Sequence, residues 1–159
     1  GDSGSLTYYG SFFDTTTQTN PVGNVVRKMV YNTTDISNGV SISSGSRIVI
    51  TNPGVYNIQF SAQIQDTKSA GLRLVSIWFR KNGEDIPFSN TNVTVDNQDS
   101  YLVASWNYML ALNAGDYIEL VMWAVGGDVQ ALTEIPTPGA GGNGNVGVPS
   151  IIATVTQIK

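Results

Sequence analysis

Asn52-Pro53-Gly54-Val55-Tyr56-Asn57-Ile58-Gln59-Phe60-Ser61-Ala62-Gln63-Ile64-Gln65 is a turn that launches a run in strict alternation. Pro and Gly punctuate the backbone, and the run that follows puts Tyr56, Ile58, Phe60, Ala62 and Ile64 on one side. Asn57, Gln59, Ser61, Gln63 and Gln65 fall on the other. A period of two belongs to a pleated strand, because a helix would scatter both sets around its axis. The strand therefore has an apolar face for a core and a polar face for water or for a partner subunit.

The same pattern recurs outward from this stretch. Residues 101–112 place Leu102, Ala104, Trp106, Tyr108, Leu110 and Leu112 on one side, and Tyr101, Val103, Ser105, Asn107 and Met109 on the other. Asn113-Ala114-Gly115-Asp116 then leads into residues 117–124, where Ile118, Leu120, Met122 and Ala124 share a face; the spacing predicts a hairpin. Residues 73–80 carry Val75, Ile77 and Phe79 on one face, before the turn Lys81-Asn82-Gly83-Glu84 and a short extended stretch at 85–88. Residues 25–31 and 40–51 read as strands separated by a turn-rich 32–39, and 150–159 is a β-branched closing strand. No window has helical periodicity, so the class is all-β.

Composition agrees. In 159 residues, about one domain, only 13% are charged, and the net charge is -4. The eight basic residues form no run longer than two, which excludes nucleic acid as a partner. No apolar stretch approaches the roughly 20 residues of a membrane helix, which excludes insertion by that route, and the polar start lacks a signal peptide's basic and apolar regions. The absence of Cys removes disulfides and thiolate metal sites, and the absence of His removes the commonest general base, so the chain is read as no enzyme.

Three groups of residues stand out as candidate sites. Asp96, Asn97 and Asp99 offer oxygen ligands of the kind calcium takes, the alternative being a solvated loop; no other cofactor is indicated. Trp106 shares the face of Leu102 and Leu110 and is assigned to the core. Trp78 and Trp123 lie opposite their strands' apolar sets, facing outward or toward a subunit, and could stack on sugar rings. Residues 136–149, with five glycines, read as a long loop in which Asn143 and Asn145 could contact a receptor. The remaining carboxylates fall mostly in predicted turns.

Three motifs in order resemble the C1q and tumour-necrosis-factor (TNF) jelly-roll family. Asn52-Pro53-Gly54-Val55-Tyr56-Asn57-Ile58-Gln59-Phe60 is similar to the family's Pro-x-Gly-x-Tyr-x-Phe stretch. Trp78-Phe79-Arg80-Lys81-Asn82-Gly83 resembles its strand and Lys-Asn-Gly turn, and Leu110-Ala111-Leu112-Asn113-Ala114-Gly115-Asp116 its Leu-x-x-Gly-Asp connection. The resemblance covers residues 11–159. The closing segment lacks the aromatic-Gly signature of animal members. With the long glycine-rich loop and Tyr9-Gly10-Ser11-Phe12-Phe13-Asp14, it looks more like the C1q-like domains that end bacteriophage fibre proteins. Residues 1–10 would be a tail, the end of a collagen-like stalk or a tag remnant.

The resemblance implies a jelly-roll sandwich of about ten antiparallel strands assembling as a homotrimer. Asn57, Gln59, Ser61 and Gln63, with Tyr101, Val103, Ser105, Asn107 and Met109, would line the subunit contacts; otherwise both rows simply meet water. The expected function is a non-enzymatic head of a virion fibre, on an extracellular surface, that binds a host-surface glycan or protein. A purely structural trimerisation cap, a secreted ligand of the same fold and a spore-surface head are the alternatives.

Overall fold

The computed structural model describes residues 7–20, 25–67, 72–96, 101–124, 129–137 and 145–159. Its strands are β1 (Tyr9–Asp14), β2 (Gln18–Thr19), β3 (Arg27–Lys28), β4 (Thr33–Asn38), β5 (Val40–Ser43), β6 (Arg47–Ile50) and β7 (Gly54–Asp66). They continue with β8 (Arg73–Lys81), β9 (Glu84–Asp85), β10 (Thr91–Val95), β11 (Tyr101–Leu112), β12 (Tyr117–Ala124), β13 (Val129–Ala131) and β14 (Ile151–Gln157). All pairings are antiparallel, and the described residues contain no helix.

β7 organises the first sheet. It takes β11 along one edge, and β14 and then β13 along the other, and the sheet continues from β14 through β1 to β4. The second sheet runs β10-β8-β12-β6-β5, with β3 also on β12 and β9 on β8. Tyr56, Ile58, Phe60, Ala62 and Ile64 are all buried, as the alternation predicts, and they meet Val75, Ile77, Phe79, Ile118, Leu120 and Met122 of the facing sheet. Phe60 meets Phe79 edge-on at 5.9 Å, and Phe79 meets Tyr108 at 6.1 Å, so aromatic contacts bridge the two layers.

Several expected boundaries change. Residues 101–112 and 117–124 form no hairpin: β11 pairs with β7 in one sheet and β12 with β8, β6 and β3 in the other. The Asn113 to Asp116 connection is a crossing between layers, because the apolar faces of both strands are satisfied only from opposite sides of the same core. The stretch 32–39, expected as a turn, contains β4. Its mostly exposed Thr, Asp, Ser and Asn side chains suit a sheet edge, and pairing with β1 overrides their weak strand propensity. The stretch 40–51 is two strands, divided where Ser44 and Gly45 take φ 53 and 74. Within 25–31 only Arg27–Lys28 is a strand, and of 85–88 only Asp85, which follows Glu84 in β9; beyond it, Pro87 has no N–H to give and Phe88 has φ 64. At the start, β1 takes in Tyr9 and Gly10 from the stretch assigned to the tail. Gly10 must lack a side chain, since a Cβ there would lie 2.6 Å from the Phe12 ring.

The Lys-Asn-Gly and Gly-Asp motifs prove to be neighbours. Asp116 Oδ2 accepts from the Asn113 N–H at 2.8 Å, and its Oδ1 accepts from the Asn82 amide at 2.9 Å. Asn82 Oδ1 in turn accepts the Tyr117 N–H at 3.0 Å, so each turn is held by the other. The Asn113 N–H, then the Asn82 amide, hold the Asp116 carboxyl below the usual range. A carboxyl whose folded pKa is depressed contributes stability above its unfolded value and loses it as pH falls through the folded one. Asp116→Ala is therefore expected to cost about 1–2 kcal/mol at neutral pH. In denaturant titrations across pH, the gap from the parent should close only below the ordinary carboxylate value of 3.8.

Candidate functional site

The outward side of the first sheet is the candidate surface. The β7–β11 register sets Gln63 beside Val103, Ser61 beside Ser105, Gln59 beside Asn107 and Asn57 beside Met109, so the two expected rows become adjacent columns. Asn107 donates to Asn57 Oδ1 at 3.2 Å. Tyr101, Val103 and Met109 are more than half exposed, at 53, 58 and 57%. Gln65 leaves the surface: it is buried, and the Gln130 amide donates to its Oε1 at 2.8 Å.

The surface extends beyond those rows. The β14–β7 and β14–β1 registers bring Ile152, Thr154 and Thr156 next to Ser61, Gln59 and Asn57, with Phe13, Ser11 and Tyr9 beyond them. Ile36 on β4 follows, 58% exposed. The sequence carried a signal for the β14 residues, since Ile151, Ala153 and Val155 alternate with Ile152, Thr154 and Thr156. Nothing local in residues 32–39 marked Ile36. A depression of about 350 Å³ crosses the face, lined by Gln59, Ser61, Ser105, Trp106, Asn107 and Ile152.

Trp106 corrects its core assignment. It is 40% exposed, and Leu102 and Leu110 are only half-buried, because β11 pairs with β7 alone and ends the sheet. An edge strand of this length with an exposed indole is an unprotected template for association.

Trp78 and Trp123 lie elsewhere. Trp78 stands opposite Val121 and Trp123 opposite Ser76, which puts both half-buried on the outward side of the second sheet. The Trp78 indole donates to Asp85 Oδ1 at 2.7 Å, the oxygen that also receives Arg80 Nε at 2.7 Å. Arg80 first, and then Trp78, keep the Asp85 carboxyl below its ordinary range, and the indole edge is committed within the chain. Asp96 is exposed at the end of β10, while Asn97, Asp99 and Asn143 lie outside the described residues. Among the described residues, no group of three His, Cys, Asp or Glu side chains is placed to hold a metal ion. The carboxylates are also less confined to turns than expected: Asp14, Asp66 and Glu119 are buried on strands.

Of the expected loop at 136–149, the described residues 136–137 and 145–149 join 132–135 in a two-stranded arm, with Glu134 paired to Val148 and Thr137 to Asn145. Asn145, expected to face a receptor, turns inward on the arm. Its amide donates to Glu134 Oε2 at 2.6 Å, and its Oδ1 accepts the Gly147 N–H at 2.7 Å. Gly147 sits at φ 102, a conformation that excludes side chains there. The candidate receptor residues are thus split between two surfaces, whereas the candidate subunit residues are gathered on one.

The fold has known counterparts. The crystal structure of murine APRIL at pH 8.5 matches with a TM-score of 0.57 at 9% identity, covering 96% of this chain and 100% of that one. Murine APRIL at pH 5.0 matches with a TM-score of 0.54 at 10% identity over 96% and 100%. At such identities the likeness establishes the architecture: an all-β, two-sheet antiparallel sandwich of the TNF-like jelly-roll type. No protein-family model matches the sequence, and no curated protein matches it.

Asn145→Ala should loosen the arm and leave the sandwich intact. Amide hydrogen exchange is expected to accelerate about tenfold at Thr137 and Gly147, the loss of about 1.4 kcal/mol of local protection, with no change across β7.

Proposed function

We propose that this chain is the trimeric, non-enzymatic binding head of a fibre, most like the heads that end phage fibres, and that it binds a host-surface receptor. The observation that carries the trimer is the outward side of the first sheet. Tyr101, Val103 and Met109 are exposed there on β11, beside the polar row of β7 already in register, and the β11 edge lies open among the described residues. Scattered apolar side chains are ordinary on a protein surface, but three along one open edge strand, aligned with a row of hydrogen-bonding groups, suit an interface. The polar members Asn57, Gln59, Ser61, Asn107 and Thr154 supply directional hydrogen bonds of the kind that interfaces mix with apolar contacts. A closed ring of copies would cover the β7 and β11 columns and the β11 edge, and would leave the β1–β4 flank of the face open.

Three copies on one axis would present three receptor sites to a surface, so modest affinity per site is multiplied by avidity. The likeness of the fold to TNF-family APRIL supports this reading, as does the resemblance of the motifs to phage fibre heads.

Sedimentation equilibrium at micromolar concentration should give three times 17.0 kDa. Val103→Arg, which forces a charge into the contact, is expected to weaken association by about a hundredfold or more while circular dichroism stays unchanged. A parent that sediments as a monomer would overturn the proposal. The trimer should also compete with whole virions for adsorption to host cells; a head that trimerises and competes for nothing would be a structural cap.

A further inference from the structure

At the flank of the first sheet away from β11, strands β1, β4 and β14 and the base of the arm enclose a cavity of about 440 Å³. Its walls include Phe13, Ile152, Pro136 and Val146, together with the carboxylates of Asp35 and Glu134. Val146 is 95% exposed and Ile135, also on the rim, 73%, so the arm holds apolar side chains out over the opening.

Among the described residues, neither carboxylate has a cation beside it: Glu134 receives only the Asn145 amide, and Asp35 makes no ion pair. Five of the chain's own cations are seen engaged elsewhere among the described residues. Lys28 lies 3.5 Å from Glu119, Arg80 2.7 Å from Asp85 and Lys81 3.7 Å from Asp116. Arg47 sits over the Tyr117 ring at 4.4 Å, and Arg27 donates to the Thr19 carbonyl at 2.6 Å. Lys159 is past the far end of β14, where its carbonyl accepts the Val55 N–H at 2.6 Å. The arrangement suits a positive group on an apolar stem, the stem along Phe13, Val146 and Ile152 and the charge toward the acidic part of the lining, where Asp35 and Glu134 stand. The volume lies in the range of pockets for small ligands and leaves no room for a folded element.

We infer that this cavity is a receptor subsite for an exposed lysine or arginine side chain of a protein partner. The inference rests on the reading of the chain as a receptor-binding head, and it makes that receptor a polypeptide.

Methyl NMR of the intact protein, followed at Ile152 and Val146, tests it with N-acetyl-lysine methylamide and N-acetyl-arginine methylamide. The norleucine analogue, which keeps the stem without the charge, and glucosamine, which carries an amine on a sugar, serve as comparisons. Lysine and arginine probes should give saturable shifts, the norleucine probe should bind about fivefold more weakly or worse, and salt should erode the difference. Asp35→Asn, at an exposed position, should weaken lysine binding about fivefold, with Glu134→Gln as the second variant. Equal binding of norleucine, a glucosamine response matching that of lysine, or no saturable shift would each overturn the subsite. Sedimentation of the same samples separates the two proposals: a trimer that ignores lysine contradicts only this one, and a monomer that binds lysine contradicts only the trimer.

Discussion

The structure depends on β7 being paired on both edges while only one of its faces is buried. Hydrogen bonds to β11 on one side and to β14 and β13 on the other satisfy its backbone along its length, which fixes the strand at the centre of its sheet. Period-two alternation then leaves no freedom. Tyr56, Ile58, Phe60, Ala62 and Ile64 must enter the sandwich, and Asn57, Gln59, Ser61 and Gln63 must point away from it. A register slip of one residue would exchange the two sets and bury the amides, so the core and the outward surface are specified together.

That outward surface governs what the molecule can do. β11, β14 and β1 copy the alternation of β7, so exposed Val103, Met109, Ile152 and Tyr9 align with the polar row into one continuous side. The second sheet differs. Its tryptophans are half-buried, and Trp78 is tied to Asp85. What sets the first sheet apart among the described residues is β11, a 12-residue edge strand whose exposed row lies in register with the polar row of β7. The arm at one flank of that face adds a cavity whose two carboxylates have no cation among the described residues.

Where the sequence was legible, the reason was periodicity. Long strands with one apolar face, β7, β8, β12 and β14, announce themselves, and the columns at Asn57 to Gln63 and Tyr101 to Met109 follow from counting by two. The failures came from information held by neighbours. β4 has no buried side to mark it, and Trp106 obeys the right parity but sits on a strand that nothing covers from the far side. The β11–β12 connection has the composition of a hairpin turn, yet it passes between layers, because turn residues do not say which sheet each strand joins. Nor does a loop composition show that Asn145 bonds Glu134 and the Gly147 N–H and so braces the arm.

The chain contains no cysteine, so a single thiol can report on one position without background. Ser105→Cys places that thiol at the middle of the β11 column, where it is exposed on the isolated subunit. The account predicts that its reaction with a maleimide is slow at micromolar protein and accelerates on dilution, as copies separate and uncover the face. Reaction at the rate of a free thiol, unchanged over that concentration range, would show the face open to solvent and contradict the account.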